Sequence, residues 1–152
     1  MRIALDSNLL VYLAKVWKIS ADRDKTSQIE ALLLALTPNV TPVLPFQVIG
    51  EAYNVMSRFG YPRDQCRQIV FQWIAQFEVI ASRETAFASA IDLATDHNLQ
   101  FWDALIINVA ADAGCQLLLS EDMQSGFTWR GVTIVNPFAA TMDVRLARLL
   151  TE

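Results

Sequence analysis

Three short runs constrain this chain more than any other feature: "RIAL" at residues 2–5, "CQLLLS" at 115–120 and "GVTIVNP" at 131–137. A strand with one wet face alternates apolar and polar side chains, whereas a run apolar at successive positions has both faces covered. Helical patterning fills much of the chain between the first two runs. Short, fully apolar strands alternating with helices are the signature of a parallel α/β sheet with helices on both sides.

Walked along the chain, the pattern predicts about five strands and their intervening helices. The first strand, 2–5, meets "DSN" at once and leads into a helix through about Lys18, with Leu9, Leu10, Leu13 and Val16 at helical spacing. A Leu- and Ala-rich helix over 23–36 ends at Thr37-Pro38-Asn39, and "VTPVL" forms the next strand. Pro45 opens a helix to Gly60, along which Gln47, Glu51, Asn54 and Arg58 make one polar stripe. "YPRDQCRQIVFQWIAQF" reads as a helix, "FEVIAS" as a strand, and 83–97 as a helix ending near "DHNL". A further helix runs from about Asp103 to Gly114, apolar almost all round, and an amphipathic helix closes the chain at about 139–150. No repeat, low-complexity segment or linker interrupts this order, so residues 1–152 read as one domain.

Hydrophobic residues are 53% of the chain and charged residues only 18%, which excludes disorder and suggests apolar surface given to a partner. Asp6 and Asn8 interrupt the apolar start before it reaches the length of a signal peptide, and "ALLLAL" is too short to span a bilayer; the reading is soluble and cytoplasmic, with no membrane role. Cys66 and Cys115 lack metal-site spacing and read as reduced structural thiols. A net charge of −4 and a pI near 4.9 argue against a large basic nucleic-acid surface. If four of the sixteen acids form a metal site, the remaining twelve balance the twelve Lys and Arg residues, and bound cations reverse the local sign.

In open α/β sheets ligands bind beyond the carboxyl ends of the strands. Asp6 follows the first strand, Asp122 follows the "LLLS" strand, Asp103 starts a helix, and Glu51 lies on the polar stripe of the helix after the second strand. Each has a plainer reading taken alone. The three Asp residues suit helix N-caps, each worth about 1 kcal/mol, and Glu51 suits a solvated helix face. Jointly they suggest an acidic site at one sheet edge.

"ALDSNLL", "VIGEAYNV", "FWDALIINVAADAGCQLLLSED" and "GVTIVNPF" occur in an order that resembles the PIN domain, specifically the VapC-type toxins of bacterial toxin–antitoxin pairs. The resemblance covers nearly the whole chain. It implies a three-layer α/β/α sandwich around a mainly parallel sheet, an acidic pocket for Mg²⁺ or Mn²⁺, endoribonuclease activity, a cognate antitoxin that silences it, and a homodimer; operator DNA would be met only through the antitoxin. Residue by residue, it makes Asp6, Glu51, Asp103 and Asp122 the acidic quartet, with Asn8 and Ser120 as supporting polar groups that orient a carboxylate or a water. Residues 123–126, Met-Gln-Ser-Gly, depart from the family by offering no further carboxylate for a second metal.

Phosphodiester hydrolysis needs an activated water and relief of charge on the phosphate oxygens, and a hard divalent cation held by carboxylates supplies both. Asp6, Asp103 and Asp122 are expected to hold the cation directly or through water, and Glu51 to complete the cluster and help orient or deprotonate the attacking water. The single histidine, His97, reads as a helix-end or surface residue. Trp17, Trp73, Trp102 and Trp129 offer stacking surfaces but at these spacings suit core or interface, and Lys15, Lys18, Arg58 and Arg130 offer phosphate contacts but are ordinary solvated charges by default. Two alternatives remain open: a Mg²⁺-dependent phosphohydrolase or phospho-acceptor domain, which "LDSN" fits poorly for want of a second Asp, and a non-catalytic antitoxin-binding or oligomerisation module.

Overall fold

The computed structural model describes residues 1–36 and 38–151. Its centre is a six-stranded sheet made of β1 (Arg2–Leu5), β2 (Thr41–Pro45), β3 (Glu78–Ile80), β4 (Leu117–Leu119), β5 (Thr128–Trp129) and β6 (Val132–Val135), in the spatial order β3-β2-β1-β4-β6-β5. Every pairing is parallel except β5 with β6. Among the described residues seven helices surround it: α1 (Ser7–Leu13), α2 (Asp22–Ala35), α3 (Phe46–Arg58), α4 (Arg63–Gln76), α5 (Glu84–His97), α6 (Phe101–Asp112) and α7 (Val144–Leu149). The architecture is the α/β/α sandwich that the apolar strands predict. Ile3, Ala4, Leu5, Leu118 and Leu119 are wholly buried although successive residues face opposite sides, so helices cover both faces. Fully burying each of these leucines contributes about 1.5–3 kcal/mol.

The sheet carries one strand more than the expected count of about five. β5 is two residues long and joins β6 through Arg130-Gly131, both at positive φ (45° and 89°), the geometry of a two-residue hairpin. Arginine is not a residue that advertises such a turn, which is why the pattern hides it.

Helix ends differ from the expectations for local reasons. α1 stops at Leu13 rather than near Lys18, because Lys15 adopts a left-handed φ of 60° and the chain turns to drop Val16 into the core. The end of α2 that the sequence sets at Thr37-Pro38-Asn39 falls partly on Thr37, outside the described residues. Gly60, at φ +82°, follows α3 as a helix-ending glycine does. α6 begins two residues before Asp103. The closing helix is shorter than the expected 139–150: Asp143 caps it by accepting a hydrogen bond from the Arg145 backbone N–H at 2.8 Å, so residues 139–142 lie before its first turn. Leu146 and Leu149 bury its apolar side against the body.

Both cysteines are buried and free. Among the described residues no helix is long and apolar enough to cross a membrane.

Candidate active site

Strand register places the exits of β1 and β4 side by side. Leu5 pairs with Leu119, and the Asp6 backbone N–H donates to the Leu119 carbonyl at 2.9 Å, so Asp6 begins where the two strands end together. Its backbone is extended (φ −85°, ψ 163°) and it caps α1, so the plain capping role is real. The carboxylate does more than cap. Oδ1 accepts from the Ser7 backbone N–H at 2.7 Å and from the Ser7 hydroxyl at 3.4 Å; Oδ2 accepts from the Ser120 hydroxyl at 2.6 Å and Asn8 Nδ2 at 3.3 Å. Asp6 is only 5% exposed. Burial pushes its carboxyl up, the Ser120 and Ser7 bonds oppose the rise, and repulsion from Asp122 adds to it.

The capping reading does not extend to the other two aspartates. Asp103 is the third residue of α6, whose N-cap is Gln100, and Asp122 lies in a turn with no helix after it. Burial raises the Asp103 carboxyl to about 6, with further repulsion from Asp6 and Asp122. Glu51 projects from α3 and is half-buried rather than solvated. Its carboxyl is also raised, first by burial, against the Ser7 hydroxyl that lowers it, and then by Asp6 and Asp103. The structure thus brings all four acids into one field, from the β1 exit, α3, α6 and the β4 exit. Asp6 feels or is felt by each of the other three.

Ser120 ties the two strand exits together, donating to Asp6 and accepting from the Met123 backbone N–H at 3.1 Å. Asn8 donates to the same Asp6 oxygen as Ser120 and leaves its own Oδ1 buried without a hydrogen-bond partner. A cleft of about 160 Å³ opens beside these groups, lined by Ser7, Asn8, Tyr12, Lys18, Asp22 and Asp122. A set of carboxylates plus an unpartnered amide oxygen is chemically suited to a hard divalent cation. Among the described residues, no three His, Cys, Asp or Glu side chains already stand close enough to hold one as they are.

Ser7, which the sequence reading passed over, touches Asp6 and lowers the Glu51 carboxyl; its place inside "DSN" was the available signal. Of the basic residues, Lys15 pairs with Glu30 at 3.9 Å and Arg130 with Asp112 at 2.9 Å, while Arg58 is exposed at the end of α3 and Lys18 lines the cleft. His97 ends α5 and packs edge-on against Phe127 and Trp129. Trp73 belongs to the core, and Trp102, next to Asp103, is exposed.

A sequence model of the PIN domain matches residues 3–125, which spans the strands and helices that carry all four acids. The chain belongs to the PIN domain family. No curated protein sequence matches it significantly. Several solved structures share the PIN fold at low identity. The VapC20 toxin of Mycobacterium tuberculosis, described as cleaving the sarcin-ricin loop, superposes with a TM-score of 0.62 at 17% identity, over 76% of this chain and 86% of that one. A toxin–antitoxin complex from Klebsiella pneumoniae gives 0.63 at 16% identity, over 90% and 98%. VapBC-1 from nontypeable Haemophilus influenzae gives 0.61 at 16%, over 80% and 87%. At these identities the likeness shows the PIN fold and leaves the chemistry to the side chains.

Proposed function

We propose that this PIN domain is a Mg²⁺- or Mn²⁺-dependent endoribonuclease and the toxin component of a VapBC-type pair. One observation carries the reading: Asp6, Glu51, Asp103 and Asp122 come from four separate elements into one electrostatically coupled cluster at the carboxyl edge of the sheet. The fold shared with VapC toxins supports it.

Asp6, Asp103 and Asp122 are the residues that would hold the cation, with Glu51 completing the set. A bound cation lowers the pKa of water and relieves charge on the phosphate oxygens. Ser120, Ser7 and Asn8 keep the Asp6 carboxylate fixed within the cluster. Glu51, its carboxyl raised by burial, completes the set and would help orient or deprotonate the attacking water. Lys18 on the cleft wall offers a cation to the RNA backbone.

The partners follow from the same reading: an RNA substrate, a cognate antitoxin, a second copy of the chain, and operator DNA only through the antitoxin. Exposed Phe87, Ile91 and Trp102 supply apolar surface for association. The protein acts in the cytoplasm, and its 152 residues form one domain.

The deciding experiment is RNA cleavage by purified protein freed of any co-purified partner, in Mn²⁺ or Mg²⁺ and in EDTA, beside Asp6→Ala. Cutting that requires the metal and disappears in the variant is the expected result. Cutting that persists in EDTA, or in folded Asp6→Ala, overturns the assignment.

A further inference from the structure

Asp122 poses a positioning problem. It is exposed, and among the described residues its side chain accepts no hydrogen bond, so its placement depends on the backbone around it. One flank is secured: Met123 is buried and its N–H donates to Ser120. The other flank is Glu121, gripped from two helices. The Tyr12 hydroxyl of α1 donates to Glu121 Oε2 at 2.5 Å, and Lys25 Nζ of α2 donates to Oε1 at 2.5 Å. Lys25 is itself held, with its Nζ 3.8 Å from Asp22 and 5.1 Å from the Tyr12 ring centroid; Tyr12 packs edge-on against Phe138 at 5.6 Å. Asp22 is buried and accepts from the Lys18 and Ile19 backbone N–H groups, which fixes the α1–α2 loop on which Lys25 depends.

We propose that Lys25 and Tyr12 are positioning residues of the acidic centre: by gripping Glu121 they hold the adjacent Asp122 where it joins Asp6 and Asp103 in binding a divalent cation. The proposal rests on the reading above that the four acids bind metal. Its physical content is that two charge-assisted contacts on one side chain immobilise the next residue of a turn that has no helix or strand to hold it.

Charge alone makes the opposite forecast, which gives the test its edge. Removing Lys25 takes a positive charge away from an acidic cluster and, by Coulomb's law, strengthens cation binding; loss of positioning weakens it. The experiment is calorimetric titration of the full chain, freed of partner, with Mn²⁺, comparing the wild type with Lys25→Met, Glu121→Gln, the double variant and Lys15→Met. Lys25→Met and Glu121→Gln each weaken Mn²⁺ binding about tenfold, as expected for groups that orient a ligand. The double variant loses no more than either single one, because both remove the same contact. Lys15→Met, which breaks only the exposed pair with Glu30, binds as the wild type does. If Lys25→Met fails to fold, Tyr12→Phe decides, since it removes a contact to Glu121 without changing the charge, and unchanged Mn²⁺ binding in it overturns the positioning role. Unchanged or tighter Mn²⁺ binding in folded Lys25→Met, or unchanged binding in Glu121→Gln, overturns the positioning role while the metal reading stands. A wild type that binds no Mn²⁺ overturns the metal reading itself and this inference with it.

Discussion

The exits of β1 and β4 lie next to each other and each delivers an aspartate, yet they hold it in opposite ways. Asp6 follows β1 directly, is buried, and receives four donors on its two oxygens. Asp122 comes three residues after Leu119, is exposed, and is placed by its neighbours Glu121 and Met123. One acid is fixed by its own contacts; the other is fixed by proxy. A cluster built this way has a rigid member around which the others gather when charge is neutralised, which fits four carboxylates that share a field without already standing at ligating distance.

The sharpest break of that contrast is at the rigid end. Asp6→Ala is expected to lower RNA cleavage by more than about 100-fold, above the usual effect of removing a group that only orients a metal ligand. Circular dichroism is expected to show the fold retained, because the lost cap is offset by relief of a buried, repelled charge. Wild-type cleavage rates in Asp6→Ala protein would remove Asp6 from the chemistry altogether.

Neutralising the whole cluster should produce the next largest effect. At a metal concentration about 100 times its dissociation constant, binding stabilises the folded state by about 2.7 kcal/mol. For a chain of this size that is a melting temperature roughly 5–10 °C higher in Mg²⁺ or Mn²⁺ than in EDTA. Coincident melting curves would show that the acids hold no cation.

Ser120 links the two exits, and its removal tests whether they depend on each other. Ser120→Ala strips the shortest bond from Asp6 and leaves the buried Met123 N–H without its acceptor. A cost of about 1–3 kcal/mol in denaturant unfolding is expected, together with cleavage reduced roughly tenfold. A stability loss with no change in cleavage would confine Ser120 to the fold.

The acids at the strand ends were legible because burial leaves so few reasons for a carboxylate there: "RIAL" runs straight into Asp6, "LLLS" into Glu121 and then Asp122, and Glu51 stands on a polar stripe of an otherwise apolar helix. The family resemblance joined them into a set. The contacts that hold Asp122 were not legible, because Lys25 and Glu121 are 96 residues apart and nothing in the local pattern of either names the other. The early end of α1 was hidden for a related reason: helical spacing carries on through Val16, and only burial of Val16 in the finished core calls for the left-handed turn at Lys15. β5 escaped because two residues are too few to show a period.

The smallest expected effect is on the pH dependence of stability, through Asp103. Burial, then Asp6 and Asp122, raise its carboxyl from 3.8 to about 6. Between these values the folded, metal-free protein binds more protons at this site than the unfolded chain does, so stability falls as pH rises. The contribution is fully present below about pH 4 and is gone once pH has passed about 6. Asp103→Asn removes one of the raised carboxyls and should make the stability profile between pH 4 and 6 in EDTA shallower, measured by urea unfolding at half-unit steps. Saturating Mg²⁺ should flatten it in the wild type as well, or reverse it, because a carboxylate that meets a cation has its pKa drawn back down. A wild-type profile in EDTA that already matches Asp103→Asn would mean that Asp103 titrates alike in folded and unfolded chains, and would detach it from the repulsion that defines the cluster.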